Sequence, residues 1–263
     1  MKQAVAIALL LCVAPTLVEA STAKITGYEI VADRTIIEGI KPLKPQFLSN
    51  LGKPYTRQLL LDDVRRFQLI GTVGMVRTAQ RPFKNGRKLM YRVESNPVIK
   101  SITFMGLTQF KPAEVTARFC SSPGKILDYT KLFADINTIP SMYLEKKGIM
   151  YADVTDLKDV AIRDGHVTIT IREFKMGDLV IQGVKGPEAD LVRRAFKLKK
   201  GDPIRRSALL ASLCDIFQLS TVKDLDWYPR FNKERTSVSL VLQVVPAGSM
   251  RADSGARTRA RGD

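Results

Sequence analysis

Apolar residues along this chain alternate in short runs, then recur every three or four positions, then alternate again, and the cycle occurs three times. The opening runs hold Ile25, Tyr28 and Ile30, then Ile99, Ile102 and Phe104, then Leu179 and Ile181. Alternation of β-branched and aromatic residues predicts half-buried strands. A short helix is expected after each, near residues 45–50, 112–119 and 188–196. A second helix then shows one apolar stripe: Leu60, Val64 and Phe67; Leu132, Ile136 and Ile139; Leu209, Leu213 and Phe217. Spacing of three and four buries one helical face. Two further strands close each cycle, the last over residues 88–94, 166–172 and 237–244. Asn85-Gly86 and Asp164-Gly165 stand where the last two strands must turn, with Asn232-Lys233 as a weaker equivalent.

The register of the repeat is set by Gly52, Gly124 and Gly201. Eight residues after each stand Leu60, Leu132 and Leu209, followed by Leu61, Phe133 and Leu210. Each of these glycines is expected to end the first helix, in the position beyond its C-cap. Thr56 and Asp128 are good N-caps for the second helix, whereas Arg205 is not. Gly106 and Gly183 precede their repeat glycines by 18 residues, and Arg34 holds that place in the first copy. The fold class that follows is α+β: three tandem β-α-α-β-β modules, each a three-stranded sheet packed by two helices. The module boundaries are 21–95, 96–173 and 174–247. Modules of this size can just support a core of their own. The connectors, 95–97 and 174–176, are short enough to limit swivelling.

Composition narrows the setting. A hydrophobic content of 45% fits folded protein. A net charge of +16 favours acidic partners, such as anionic membrane surface or acidic protein. The apolar run from Ala4 to Leu17, followed by Val18-Glu19-Ala20, reads as a signal peptide over residues 1–20. Secretion makes nucleic acid a poor partner. Residues 248–263, rich in Arg, Ala, Gly and Ser, read as a basic disordered tail. The first module carries the largest share of the charge, fourteen basic residues against six acidic. Arg65, Arg66, Arg81, Arg87 and Lys88, with Lys199 and Lys200 in the third module, are candidates for a basic patch. Cys120 and Cys214 occupy non-equivalent places and are read as small buried hydrophobes rather than a disulfide. His166 is the only histidine and follows a turn. Asp62-Asp63 and Asp135 lie on the second helices and are read as solvated surface. No spacing suggests a metal, a cofactor or a catalytic group. A binding protein is therefore expected, not an enzyme.

Two segments carry a family resemblance. One is Val93-Glu94-Ser95-Asn96-Pro97-Val98-Ile99; the other is Tyr143-Leu144-Glu145-Lys146-Lys147-Gly148-Ile149-Met150-Tyr151-Ala152-Asp153-Val154. Both resemble the POTRA modules of the BamA family of outer-membrane assembly proteins. The resemblance spans residues 23–247 and is fullest in the second copy; the third has Ser220 where a glycine is expected. It implies a periplasmic, outer-membrane-associated scaffold whose partners are unfolded outer-membrane proteins and β-barrel assembly subunits. It also implies that the second strand of each sheet is an open edge, able to accept an extended peptide. Those strands would lie near 73–78, 151–156 and 223–228, with Val73, Met75, Arg77, Tyr151, Asp153, Thr155, Leu225 and Trp227 as candidate contacts. The family continues into a long barrel, and no run of barrel strands follows residue 246 here. The competing expectation is an envelope or cell-division scaffold, held by an uncleaved N-terminal segment.

Overall fold

The computed structural model describes residues 23–154 and 157–248. The expected signal peptide, nearly all of the basic tail and Thr155 lie outside the described residues. Three mixed three-stranded sheets are present, together with a two-stranded ribbon. The first sheet comprises β1 (Ile25–Ala32), β2 (Val73–Phe83) and β3 (Gly86–Ser95). Between β1 and β2 run α1 (Ile37–Ile40), a 3-10 turn, α2 (Lys44–Leu48) and α3 (Arg57–Gln68). The middle repeat supplies β4 (Ser101–Met105), α4 (Pro112–Thr116), α5 (Tyr129–Asn137), α6 (Ile139–Lys147), β5 (Ala152–Asp153), β6 (Val160–Arg163), β7 (His166–Thr170) and β8 (Arg172–Glu173). The third sheet follows, with β9 (Lys175–Gln182), α7 (Pro187–Ala195), α8 (Arg206–Phe217), β10 (Val222–Phe231) and β11 (Ser237–Pro246). The described residues form two compact units. One takes residues up to 105 with 110–138 and 154–170; the other takes 106–109, 139–153 and 171 onward. The middle repeat thus contributes to both.

Each sheet places its last strand in the centre, with the first strand parallel and the second antiparallel: β1-β3-β2, β4-β7-β6 and β10-β11-β9. The central strands alternate as expected. Leu89, Tyr91 and Val93 face one core, and Val238, Leu240, Leu242 and Val244 another. Phe47, Phe67 and Tyr91 stack within the first core at ring separations of 4.9–5.7 Å. The helix ends follow their sequences. Thr56 and Asp128 accept hydrogen bonds from the N–H groups of Leu59 and Lys131, while Arg205 makes no side-chain cap.

The repeat glycine does a different job from the one expected. It does not terminate the first helix; it lies beyond that helix, in a left-handed turn at φ between 84° and 93°. Its N–H donates to the first strand, Gly52 to Ile25, Gly124 to Ile99 and Gly201 to Met176, each at 2.8 Å. The residue after it accepts from that same strand residue, closing a small antiparallel bridge in every copy. The sequence cue was sound, but the partner is a strand remote in the chain. The first hairpin also differs by one residue: Lys84 and Asn85 form the turn and Gly86 already begins β3.

Three further readings are corrected. Cys120 and Cys214 are exposed, not buried. Asp63 and Asp135 are buried at 0% and 3% exposure, while Asp62 stays on the surface. Asp135 accepts the N–H groups of Cys120 and Ser121, at 2.7 and 2.8 Å, so a loop is hung from a helix. Asp63 accepts from the Tyr91 hydroxyl and from Arg66, both at 2.7 Å. Burial nevertheless pushes the Asp63 carboxyl above the usual carboxylate range.

Successive copies are joined through backbone. The carbonyl of Gly71 accepts from Tyr129, the first residue of α5, at 2.9 Å; that of Gly148 accepts from Arg206, the first residue of α8, at 2.7 Å. A glycine at each helix–strand turn thus satisfies an orphan donor of the next copy's helix. At the end of the middle repeat, Glu173 gathers the N–H groups of Thr108 and Gln109, at 2.8 and 3.0 Å, and the hydroxyls of Thr108 and Tyr143. Burial raises its pKa, but these donors outweigh burial and hold the carboxyl below the ordinary glutamate value.

Candidate functional site: the free sheet edges

Sheet order decides which backbone groups remain unpaired. With the last strand central, the first and second strands are edges. The bridge at the repeat glycine covers the start of the first strand in each sheet. The second strand is the other edge, and among the described residues no such bridge lies against it. Those edges are β2, β6 and β10, of eleven, four and ten residues.

In β2, Val73 is buried at the start of the strand, whereas Met75 is 45% exposed and Arg77 lies on the surface. Side chains of Val76, Thr78 and Gln80 pair opposite Val93, Tyr91 and Leu89 and so turn toward the core. Met75, Arg77, Ala79 and Arg81 share the outer face with Lys88, Met90, Arg92 and Glu94 of β3. Arg77 and Arg92 each lie 3.6 Å from Glu94; Arg81 and Lys88 reach Glu29 at 3.2 and 2.6 Å. Lys88, with help from Arg81, pulls the Glu29 carboxyl below its usual range. Four cations therefore share two carboxylates on this face.

The middle edge departs from the expected strand over 151–156. Among the described residues of that range Ala152 and Asp153 form β5, which pairs with β8 and not with the sheet of β4, β6 and β7. A 3-10 turn at Leu157–Asp159 breaks the strand, and the sheet's edge is the four-residue β6. The alternation of Val160 and Ile162 was the available sign of it. Tyr151 packs edge-on against Phe231 at 5.7 Å, so it belongs to an aromatic contact rather than to an edge.

In β10, Leu225 and Trp227 turn inward and line an apolar groove with Leu210, Leu213, Cys214, Phe217 and Gln218. The groove holds about 390 Å³, and Leu210 and Phe217 on α8 remain 49% and 57% exposed. The sequence reading missed α8 here because Leu210 and Phe217 look like core residues. On the edge itself, Asp224 accepts from the N–H of Leu225 at 2.9 Å and Asp226 from that of Trp227 at 2.8 Å.

The candidate basic residues lie on α3, β2, β3 and the segment before α8. Arg65 and Arg66 pair with Asp62 and Asp63 on α3. Arg81 and Lys88 sit on the outer sheet face, and Arg87 donates to Gln80. Lys200 pairs with Asp178, and the N–H of Lys199 donates to Asp202. Among the described residues no three His, Cys, Asp or Glu side chains converge as metal ligands would, and no helix is long and apolar enough to cross a membrane.

Known proteins share this architecture. Residues 97–173 match the family model described as POTRA, surface antigen variable number repeat. POTRA1-3 of the periplasmic domain of Omp85 from Anabaena superposes with a TM-score of 0.69 at 17% identity, covering 87% of this chain and 97% of its own. The N-terminal domain of Omp85 from the cyanobacterium Thermosynechococcus elongatus gives 0.62 at 19% identity, covering 87% of this chain and all of its own. No curated protein sequence matches the chain. The fold is that of tandem POTRA modules, α+β, as the two sequence segments implied.

Proposed function

We propose that this chain is a periplasmic scaffold, associated with the outer membrane, that binds polypeptides during outer-membrane protein assembly. Its clients are unfolded outer-membrane proteins or subunits of a β-barrel assembly machine, and it holds them by strand addition without catalysis. The reading takes residues 21–95, 96–173 and 174–247 as three POTRA modules. The observation that carries it is the sheet order. In each three-stranded sheet the second strand is an edge, and among the described residues no bridge of the kind that meets the start of the first strand lies against it. An open edge offers unpaired N–H and C=O groups, which an extended segment satisfies with little demand on its side chains. That tolerance suits a receiver of many clients.

Photo-crosslinking tests the proposal. A benzophenone amino acid placed at Met75, exposed on the edge strand β2, is expected to capture unfolded outer-membrane proteins in cells. The same group at Leu144, exposed on the helix α6 and not on an edge strand, should capture none. Absence of adducts at Met75 would refute the proposal.

A further inference from the structure

The two long edges are not equivalent. In an antiparallel ladder, residues alternate between bonding the neighbouring strand and pointing their backbone groups away from it. The first hairpin has a two-residue turn closed by Phe83 and Gly86. Such a turn is closed by a bonded pair. Counting back, the N–H groups of Gln80, Thr78 and Val76 face outward, and Pro82, the next of that set, has none. In the third sheet, Asn232 donates across to Ser237 at 3.1 Å. Alternation then turns residues 229, 227 and 225 outward, besides Phe231 at the end of the strand. The residue at 229 is proline, and the N–H groups of Trp227 and Leu225 are taken by Asp226 and Asp224. So β10 presents no free donor between 225 and 229, while β2 presents three. The middle edge, β6, is only four residues long, too short for a stable ladder.

We infer that strand addition takes place on β2 of the first sheet, that β10 is closed to it by Asp224, Asp226 and Pro229, and that the added strand carries carboxylates at alternate positions. The inference rests on the strand-addition reading and names where, and with what ligand class, it operates. The charge follows from the outer face. A strand added beside β2 sets every second side chain opposite Arg77, Ala79 and Arg81, within cross-strand reach. Those arginines compete with Arg92 and Lys88 for only two carboxylates, Glu94 and Glu29, so carboxylates from the ligand complete the set. On β10 the matching outer positions are Asp224, Asp226, Tyr228 and Arg230, and the two aspartates beside the outward positions would repel such a ligand.

The chain's single tryptophan, Trp227, lies on β10 and lines the groove behind that edge, so its emission reports on the third sheet. The probes are fluorescein-labelled nine-residue peptides alternating valine with glutamate, and valine with lysine. Binding of the glutamate peptide, read by anisotropy, is expected to leave Trp227 emission unchanged and to be roughly fivefold tighter than that of the lysine peptide. Thr78→Pro removes an outward donor without touching the ladder to β3 and should weaken binding about fivefold. Arg77→Glu with Arg81→Glu, which leaves the backbone alone, should reverse the peptide preference. Asp224→Ala with Asp226→Ala should create a second binding phase that shifts Trp227 emission. Binding that shifts Trp227 in the unaltered chain and survives Thr78→Pro would overturn the inference while leaving strand addition intact. A preference for the lysine peptide would overturn the ligand class. Failure of both peptides to bind any variant would overturn strand addition itself.

Discussion

Asp63, Asp135 and Ser212 each stand eleven residues after a repeat glycine, and each is a polar side chain buried in the second helix of its copy. Asp135 holds two loop N–H groups, and Ser212 accepts that of Lys197 at 3.0 Å while donating to Ala208. A buried polar group left unsatisfied costs about 1–3 kcal/mol, so these positions tie loop to helix specifically. The spacing already placed them on the buried stripe, at 60, 63, 64 and 67 in the first copy. Their chemistry suggested solvent, and the periodicity was the better guide. Glu173 shows the same economy at a joint. Because its folded carboxyl sits below the ordinary value of 4.5, its ionised form stabilises the fold above that pH, and the contribution is lost as pH falls through the folded pKa. Partial exposure screens the effect. Glu173→Gln is expected to cost about 1–2 kcal/mol at pH 7, with the gap to the parent chain closing by pH 3. Urea melts at the two pH values measure it; an equal gap at both would show that charge is not the cause.

At the scale of elements, the two classes of repeat glycine separate conformation from space. A Cβ at Gly201 would meet nothing within 4 Å, so only its φ of 93° excludes other residues. A Cβ at Gly183 would lie 2.0 Å from the carbonyl oxygen of Val244, besides a φ of 92°. Gly201→Ala should therefore cost about 1–2 kcal/mol, the penalty of a left-handed alanine. Gly183→Ala should cost distinctly more, because backbone must move. Paired thermal melts decide it, and equal losses would contradict the account. The helices and most strands were legible because their periodicities are local. The break in the middle repeat's second strand was not. It depends on a turn at 157–159 and a change of pairing partner from β8 to β7, neither of which alternation encodes.

At the scale of the whole chain, the described residues hold separate cores in the first and third sheets, and the single tryptophan packs against the latter. Leu240 lies at 0% exposure in the central strand of that core. Leu240→Ala is expected to cost about 2–5 kcal/mol and to move the Trp227 fluorescence transition to lower urea. An unmoved transition would mean that the tryptophan does not report this core. The triple repeat, the α+β class, the helix caps and the resemblance to POTRA modules were all fixed by the chain itself, since each depends on neighbours within a few turns or on a pattern that recurs. Which strand is central, and hence which edge is free, required the tertiary structure, because strand order depends on pairings between residues more than fifty apart. Only there do Asp224 and Asp226 become donors' partners instead of surface charges, and only there do β2 and β10, alike in length and alternation, become one open edge and one closed.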